Sequence, residues 1–174
     1  MKKITAYEIA LSALSGALAT ILLTIGVYTE LLLYTGYFFA SIALMLPLSR
    51  RSYLGYGLAY LSTCILTLVF TSFRFWDLLP FILFFGLHPI ANELQLKSKL
   101  PRWLGIGIKA VWFDGTLLLV WRFVMDMTTS ISIVDKYILP FILVFGSLFF
   151  VFYDFVFYRW RYTVNTLISR IIKK

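Results

Sequence analysis

The sequence has little of what most enzyme sites are built from. Its 174 residues include one cysteine and one histidine, Cys64 and His88, so it cannot form an internal disulfide or a Cys/His metal site. It contains no phosphate-binding glycine loop, dinucleotide-binding motif, nucleophile elbow or metalloprotease motif. The sequence therefore predicts no enzyme and no bound cofactor, and any energy-dependent work would need a partner.

Charge is also scarce. Only 14% of the residues are charged, against about 25% in ordinary soluble domains, while 61% are hydrophobic and the mean hydropathy is +0.88. A folded chain of this size still exposes much of its surface, so it cannot bury so many apolar side chains within itself. This composition excludes a soluble globular protein and indicates a chain that lies in a lipid bilayer.

Apolar runs separated by short polar breaks predict six transmembrane helices. The runs cover residues 7–27, 31–48, 54–72, 78–92, 103–125 and 137–158. One crossing takes about 20 residues, so six crossings account for most of the chain. We therefore predict an all-α membrane protein that forms a single six-helix bundle over residues 1–174.

The basic residues indicate how this bundle is oriented. Of the 16 basic residues, 12 would lie on one side of the predicted spans: Lys2, Lys3, Arg50, Arg51, Lys97, Lys99, Arg102, Arg159, Arg161, Arg170, Lys173 and Lys174. Because Lys and Arg accumulate in cytoplasmic loops, this asymmetry predicts that both termini are cytoplasmic in a multi-pass protein of the cell membrane. The net charge of +8 is thus a topology signal and does not indicate a nucleic-acid partner.

Small residues form a stripe along the first predicted helix. Ala6, Ala10, Ala13 and Ala17 are spaced by 4, 3 and 4 residues, which places them on one helical face. A face of small residues lets another helix approach closely in a membrane. That other helix could belong to the same chain or to a separate membrane subunit, and the pattern alone leaves both alternatives open.

With its length, its Met-Lys-Lys start and the Ala13-x-x-x-Ala17 pair, the chain resembles a substrate-binding S component of an energy-coupling factor (ECF) transporter. This resemblance implies that Ala13 and Ala17 contact the coupling helices of a transmembrane scaffold subunit, which joins two cytoplasmic ATPases. It also implies capture of a vitamin-class substrate in an outward-facing pocket, without indicating which vitamin.

Aromatic and cationic residues collect at the outer ends of the predicted spans. Together with Asp114 inside the fifth span, they form our predicted substrate-binding set: Tyr34, Arg74, Trp76, Asp114, Trp121, Arg122 and Lys136. Flat rings and cations would suit a planar, partly anionic small molecule. An aromatic belt at the membrane interface, with the cations paired to neighbouring carboxylates, is the structural alternative.

A few polar groups fall at membrane depth, where each needs a partner or a function. Asp114 lies near the bilayer midplane, and we predict that Lys109 and Asp154 form an ion pair between adjacent helices. Pro89 cannot donate to the carbonyl of the residue four positions before it, so the fourth helix should kink or end near His88. His88 could make a polar contact that satisfies this carbonyl, or it could contact a ligand.

Three classes of function follow from these patterns. The first is capture of a small micronutrient outside the cell and its delivery to an ATP-driven ECF module. The second is a non-transport scaffold subunit of cell-envelope or cell-shape machinery, in which Arg74 and Arg122 would be held in ion pairs. A third class, an intramembrane enzyme, would use Asp114 and His88, but no second catalytic group joins them.

Overall fold

A computed structural model describes residues 5–98, 100–124, 137 and 139–172, and all regular structure within these ranges is helical. The α-helices are α1 (Ala6–Thr29), α2 (Leu33–Ala43), α3 (Met45–Leu48), α4 (Tyr53–Phe70), α5 (Phe75–Pro80), α6 (His88–Lys97), α7 (Arg102–Val124) and α8 (Ser147–Ile172). Two π-helices are also present, π1 (Phe81–Phe85) and π2 (Ile142–Gly146). The predicted all-helical class is confirmed for the described part of the chain.

Five helical segments among the described residues are long and apolar enough to cross a membrane: Ala6–Thr29, Tyr53–Phe70, Phe75–Lys97, Arg102–Arg122 and Leu139–Thr166. A sixth apolar segment, Leu33–Leu48, is shorter. At 1.5 Å per residue it spans roughly 24 Å, against about 30 Å of hydrocarbon. These segments fit a multi-pass helical membrane protein.

The short segment is broken between α2 and α3. In a continuous helix the carbonyl of Ala43 would accept a hydrogen bond from residue 47, but Pro47 has no backbone N–H. The helix therefore ends at Ala43 and resumes at Met45. The sequence prediction of one span over residues 31–48 did not include this break.

Large apolar side chains cover the outside of the helices. Val111 is 74% exposed, Leu148 is 66% exposed and Phe152 is 67% exposed. Soluble monomers rarely expose contiguous apolar surface of this kind, whereas a bilayer covers it at no cost. The exposed surface thus agrees with the composition.

The helix α1 begins with a capping box. The Thr5 Oγ1 accepts a hydrogen bond from the backbone N–H of Glu8 at 3.2 Å, and the Glu8 carboxylate accepts one from the backbone N–H of Thr5 at 2.9 Å. These bonds satisfy two of the N–H groups left open at a helix start. They fix the first residue of the helix that carries the alanine stripe.

The chain divides into two compact units, one formed by Met1–Leu94 with Arg159–Lys174 and the other by Gln95–Tyr158. In the first unit, α1 packs against α2 and α4. Gly26 and Gly36 let α1 and α2 touch, since a Cβ on Gly36 would lie 2.9 Å from the Leu22 carbonyl oxygen. In the second unit, α7 packs against π2. The single membrane domain over residues 1–174 stays a prediction.

Two predicted spans end elsewhere than expected. The fourth, predicted over 78–92, is helical from Phe75 to Lys97. The last, predicted over 137–158, continues as helix to Ile172, and its extension buries Val164 and Ile168. Backbone hydrogen bonds continue a helix through polar residues, so the end of an apolar run marks the membrane edge and not the helix end.

Candidate functional site

The fourth span is irregular around its two prolines, Pro80 and Pro89. The N–H of Phe81 bonds the carbonyl of Leu78, three residues back. The N–H of Gly86 bonds the carbonyl of Phe81, five residues back, and also that of Phe84. These changes of register, with the missing N–H of Pro89, remove regular helical donors from several carbonyls.

Side-chain hydroxyls from α2 and α4 supply the missing donors. The four bonds run from Tyr37 to the carbonyl of Asp77, from Tyr60 to that of Ile82 at 2.8 Å, from Ser41 to that of Phe85 at 2.7 Å, and from Tyr56 to that of Gly86. In a membrane, an irregular backbone is tolerated only where such partners satisfy it. Four carbonyls in and around π1 thus receive donors from within the first unit.

The predicted irregularity near His88 is confirmed, although the break falls over Phe81–Phe85 and the following turn. The carbonyl of Phe85, which the sequence predicted to lack a donor, receives one from Ser41. Sequence reasoning did not single out Ser41. His88 itself is fully buried, with its ring 5.4 Å from that of Phe84.

Arg74 precedes α5 and is held by carboxylates on two sides. Its guanidinium lies 3.0 Å from the Glu30 carboxylate and 2.8 Å from that of Asp77, and it donates to the carbonyl of Val27 at 3.2 Å. The hydrogen bond that Arg74 donates to the Glu30 carboxylate, together with the charge of Asp77, raises the pKa of Arg74 above its ordinary value. The positive charge of Arg74 is therefore already balanced, as the ion-pair alternative predicted.

The other predicted binding residues of the first unit are exposed rings. Tyr34 is 60% exposed and packs edge-on against Tyr37, with ring centroids 5.9 Å apart. Trp76 is 55% exposed and packs against Phe75. Tyr37 donates to the backbone of Asp77, which pairs with Arg74, so one chain of contacts joins Tyr34 to Arg74. These residues lie at one end of this unit.

The second unit carries the remaining described candidates. Trp121 is half-buried and Arg122 is exposed, both near the end of α7. Lys136 lies outside the described residues. Asp114 lies near the middle of α7 and is only 4% exposed.

Asp114 has one oxygen with a partner and one without. The hydroxyl of Ser147 donates to its Oδ2 at 2.6 Å. Its Oδ1 receives no hydrogen bond from any residue that the structure describes. Gly146, the last residue of π2, lies against this oxygen, because a Cβ built on Gly146 would be 2.6 Å from Oδ1. Asp114 was predicted from the sequence as a site residue, but Gly146 and Ser147 were not. Their one distinguishing feature in the sequence is that they are two small residues within a span of bulky apolar side chains.

The predicted ion pair between Lys109 and Asp154 is confirmed. The Lys109 Nζ lies 2.5 Å from Oδ1 of Asp154, and both residues are buried. The ammonium group also lies 6.0 Å from the ring centroid of Phe150. A second pair, between the buried Glu93 and the half-buried Arg161, was not predicted, because neither residue lies at predicted membrane depth.

The alanine stripe of α1 faces away from the rest of its unit. Ala6, Ala10, Ala13 and Ala17 are all exposed. The buried residues of α1 are Glu8, Ser12, Ser15, Gly16, Ala19, Thr20, Leu23, Gly26 and Val27. The contacts of α1 with α2 and α4 therefore use a different face from the alanines.

A groove of about 270 Å³ runs beside the stripe, between α1 and α4. It is lined by Ile9, Ser12, Ala13, Gly55, Leu58, Ala59 and Ser62. Most of these side chains are small, so the two backbones form the floor of the groove.

The chain matches no protein-family model, no curated protein and no solved structure. The resemblance to an S component therefore stays a prediction from the length, the six predicted helices, the Met-Lys-Lys start and the Ala13-x-x-x-Ala17 pair. Within the described ranges, no three or more His, Cys, Asp or Glu residues come together to hold a metal ion. His88 belongs to the first unit and Asp114 to the second.

Proposed function

We propose that this chain is the substrate-binding subunit of an ECF-type transporter, which captures a small vitamin-like molecule outside the cell and delivers it to an ATP-driven module. The observation that carries this proposal is the exposed alanine face of α1. The partner on this face is the coupling helix of a transmembrane scaffold subunit, which connects the chain to two ATPases.

The composition of α1 argues that this face meets another helix rather than lipid. At about 100° per residue, the four alanines lie within an arc of about 60°. The adjoining exposed arc instead carries large side chains, Leu14, Leu18, Ile21 and Ile25. Lipid-facing surfaces need bulk apolar side chains, whereas helix contacts in membranes favour small residues that let backbones approach. The two arcs of α1 therefore support two different surroundings, with lipid against the large side chains and a partner helix against the alanines.

The groove between α1 and α4 supports the same proposal. The groove lies beside Ala13, and the small residues Gly55 and Ala59 leave room in it. A side chain of the partner helix could enter it while the helix backbone rests on Ala13 and Ala17. Dispersion contacts across such a closely packed seam are individually small, but they add up along the helix.

The proposed topology has six crossings of the cell membrane, with Leu33–Leu48 as the second, and both termini in the cytoplasm. The distribution of basic residues supports this orientation. Ligand capture is then assigned to the outer side of the predicted topology, for which the first unit offers the rings of Tyr34 and Trp76, and the second unit separately offers the ring of Trp121 and the cation of Arg122. In this proposal Arg74 orders the turn between α4 and α5, because its charge is already balanced by two carboxylates.

Co-purification with the scaffold and the ATPases tests this proposal. The full chain should retain the complex, and Ala17→Trp should abolish it, since an indole on this face would hold the partner helix away. The matched control is Leu18→Trp, because Leu18 is the next residue, is 40% exposed and points about 100° away. A well-folded wild-type chain that forms no complex would refute the docking proposal.

The ion-paired Arg74 also favours a second candidate, a scaffold subunit of the cell envelope that binds no ligand. Mass spectrometry of small molecules retained by the purified chain separates the two functions. A retained molecule that is lost on Trp121→Ala would support capture. A chain that retains none and binds envelope-assembly proteins would support the scaffold.

A further inference from the structure

Asp114 is a buried carboxyl group in the middle of a helical segment that is long and apolar enough to cross a membrane. It lies about 18 Å along α7 from the first residue of this helix and is 4% exposed. Removing a carboxyl group from water is costly unless hydrogen bonds or an opposite charge replace the lost hydration. Its partners therefore indicate what the site is built to hold.

The described partners of Asp114 fill only one of its two oxygens. Ser147 donates to Oδ2, while Oδ1 accepts nothing from the described residues. Lys109, which is on the same helix, is paired with Asp154 instead. Asp114 thus presents an open acceptor in an apolar environment.

The backbone of π2 lies directly against this buried oxygen, with no side chain between them. Gly146 has no side chain, and any Cβ there would approach Oδ1 to 2.6 Å. At the same point the N–H of Ser147 bonds the carbonyl of Val144 and not that of Leu143, so the regular helical register is lost. Such π-turns occur often at functional sites, and irregular backbone in membrane helices supplies carbonyl oxygens to small cations.

We propose that Asp114, together with Ser147 and the backbone of π2, binds a small cationic group. Its source is either a free monovalent cation such as Na⁺ or an ammonium group on the captured substrate, and only the second source rests on the proposed function. In both cases the cation supplies the missing partner of Oδ1 and balances the carboxylate charge. If the source is the substrate, it carries a positive group, in contrast to the partly anionic molecule that the outer cations predicted.

The test uses the full-length chain in lipid nanodiscs and measures its melting temperature in chloride salts of equal ionic strength. NaCl and methylammonium chloride are each compared with choline chloride, whose bulky cation has no N–H group. A cation that binds the folded state raises the melting temperature in a saturable way. We expect such a rise with at least one of the two small cations.

Three variants locate the effect. Asp114→Asn should abolish the rise, and Gly146→Ala should weaken the apparent affinity at least tenfold because its methyl group covers Oδ1. Gly115→Ala is the matched control, since Gly115 adjoins Asp114 in the chain but has open space around its Cβ position. This control should respond as the wild type does.

Each outcome has a defined meaning. A rise with Na⁺ alone assigns an inorganic cation, and a stronger rise with methylammonium assigns an ammonium group of the substrate. No rise in the wild type with either cation overturns the proposal, as does a rise that persists in Asp114→Asn. Loss of the ECF complex with an intact cation response would refute only the docking proposal.

Discussion

The two π-helices in the described part of this chain have different kinds of polar groups beside them. Around π1, the hydroxyls of Ser41, Tyr56 and Tyr60 donate to the carbonyls of π1 and of the turn after it. Beside π2 lies Asp114, which is itself an acceptor. In the first unit, side-chain hydroxyls thus donate to carbonyls of the irregular backbone. In the second unit, the irregular backbone lies beside a carboxyl oxygen that accepts nothing from the residues that the structure describes.

This difference shows why an irregular membrane helix is not by itself a sign of a binding site. Each buried donor and acceptor needs a partner, so accounting for the partners decides between structure and function. At π1 the partners come from α2 and α4, and the irregular segment serves to pack the bundle. At π2, Oδ1 of Asp114 has no donor within the described part of the chain, and the proposed cation would supply its partner.

The largest expected loss of stability comes from breaking the ion pair between Lys109 and Asp154 in the second unit. Asp154→Asn leaves the Lys109 ammonium buried without its counter-charge, and removing one partner of a buried pair costs about 3–5 kcal/mol in the free energy of unfolding. Unfolding in a denaturing detergent would measure this loss. Replacing both residues, as in Lys109→Met with Asp154→Leu, should recover most of it. Unchanged stability of Asp154→Asn would contradict the importance of the pair.

A smaller loss should follow from removing one hydroxyl beside π1. Ser41→Ala leaves the buried carbonyl of Phe85 without its donor, at a cost of about 1–3 kcal/mol. Adding Pro89→Ala to this variant restores a backbone N–H four residues after Phe85, so the double variant should be less destabilised than the sum of the two changes. The same detergent unfolding assay gives all three free energies. Strict additivity would show that Ser41 does not act through this carbonyl.

The smallest effect should appear at a glycine that no close contact requires. Gly115→Ala should stabilise the second unit by about 0.5–1 kcal/mol, because alanine favours a helix and open space surrounds its Cβ position. Gly36→Ala in the first unit should destabilise, because its Cβ would press on the Leu22 carbonyl at 2.9 Å. Thermal unfolding of the two variants shows whether each change raises or lowers the stability. A stabilising Gly36→Ala would contradict the close packing of α1 on α2, and a destabilising Gly115→Ala would contradict the open space around Gly115.

Much of the helical pattern could be predicted from the sequence. The spans over 7–27, 54–72 and 103–125 agree with α1, α4 and α7 within about two residues, because apolar runs of that length have few alternatives in a bilayer. The break in the second span was missed because Pro47 acts on Ala43, four residues earlier, and leaves the apolar composition unchanged.

The candidate site was less predictable because it depends on tertiary neighbours. The pairing of Lys109 with Asp154 followed from similar depths on neighbouring spans. The acceptor role of Asp114 depends instead on Gly146 and Ser147, which are far away in the sequence and chemically unremarkable. Pairing of Arg74 with carboxylates was one of two alternatives from the sequence, and the packing that brings Glu30 near decides in its favour.

The most direct test of the docking proposal is site-directed cross-linking along α1. Single cysteines in a Cys64→Ser background would carry a photoactivated cross-linker at positions 13, 17, 18 and 25 in cells that contain the ECF module. We expect cross-links to the scaffold subunit from Ala13→Cys and Ala17→Cys, and none from Leu18→Cys or Ile25→Cys. Equal cross-linking from all four positions, or none from the alanine face, would contradict the docking proposal.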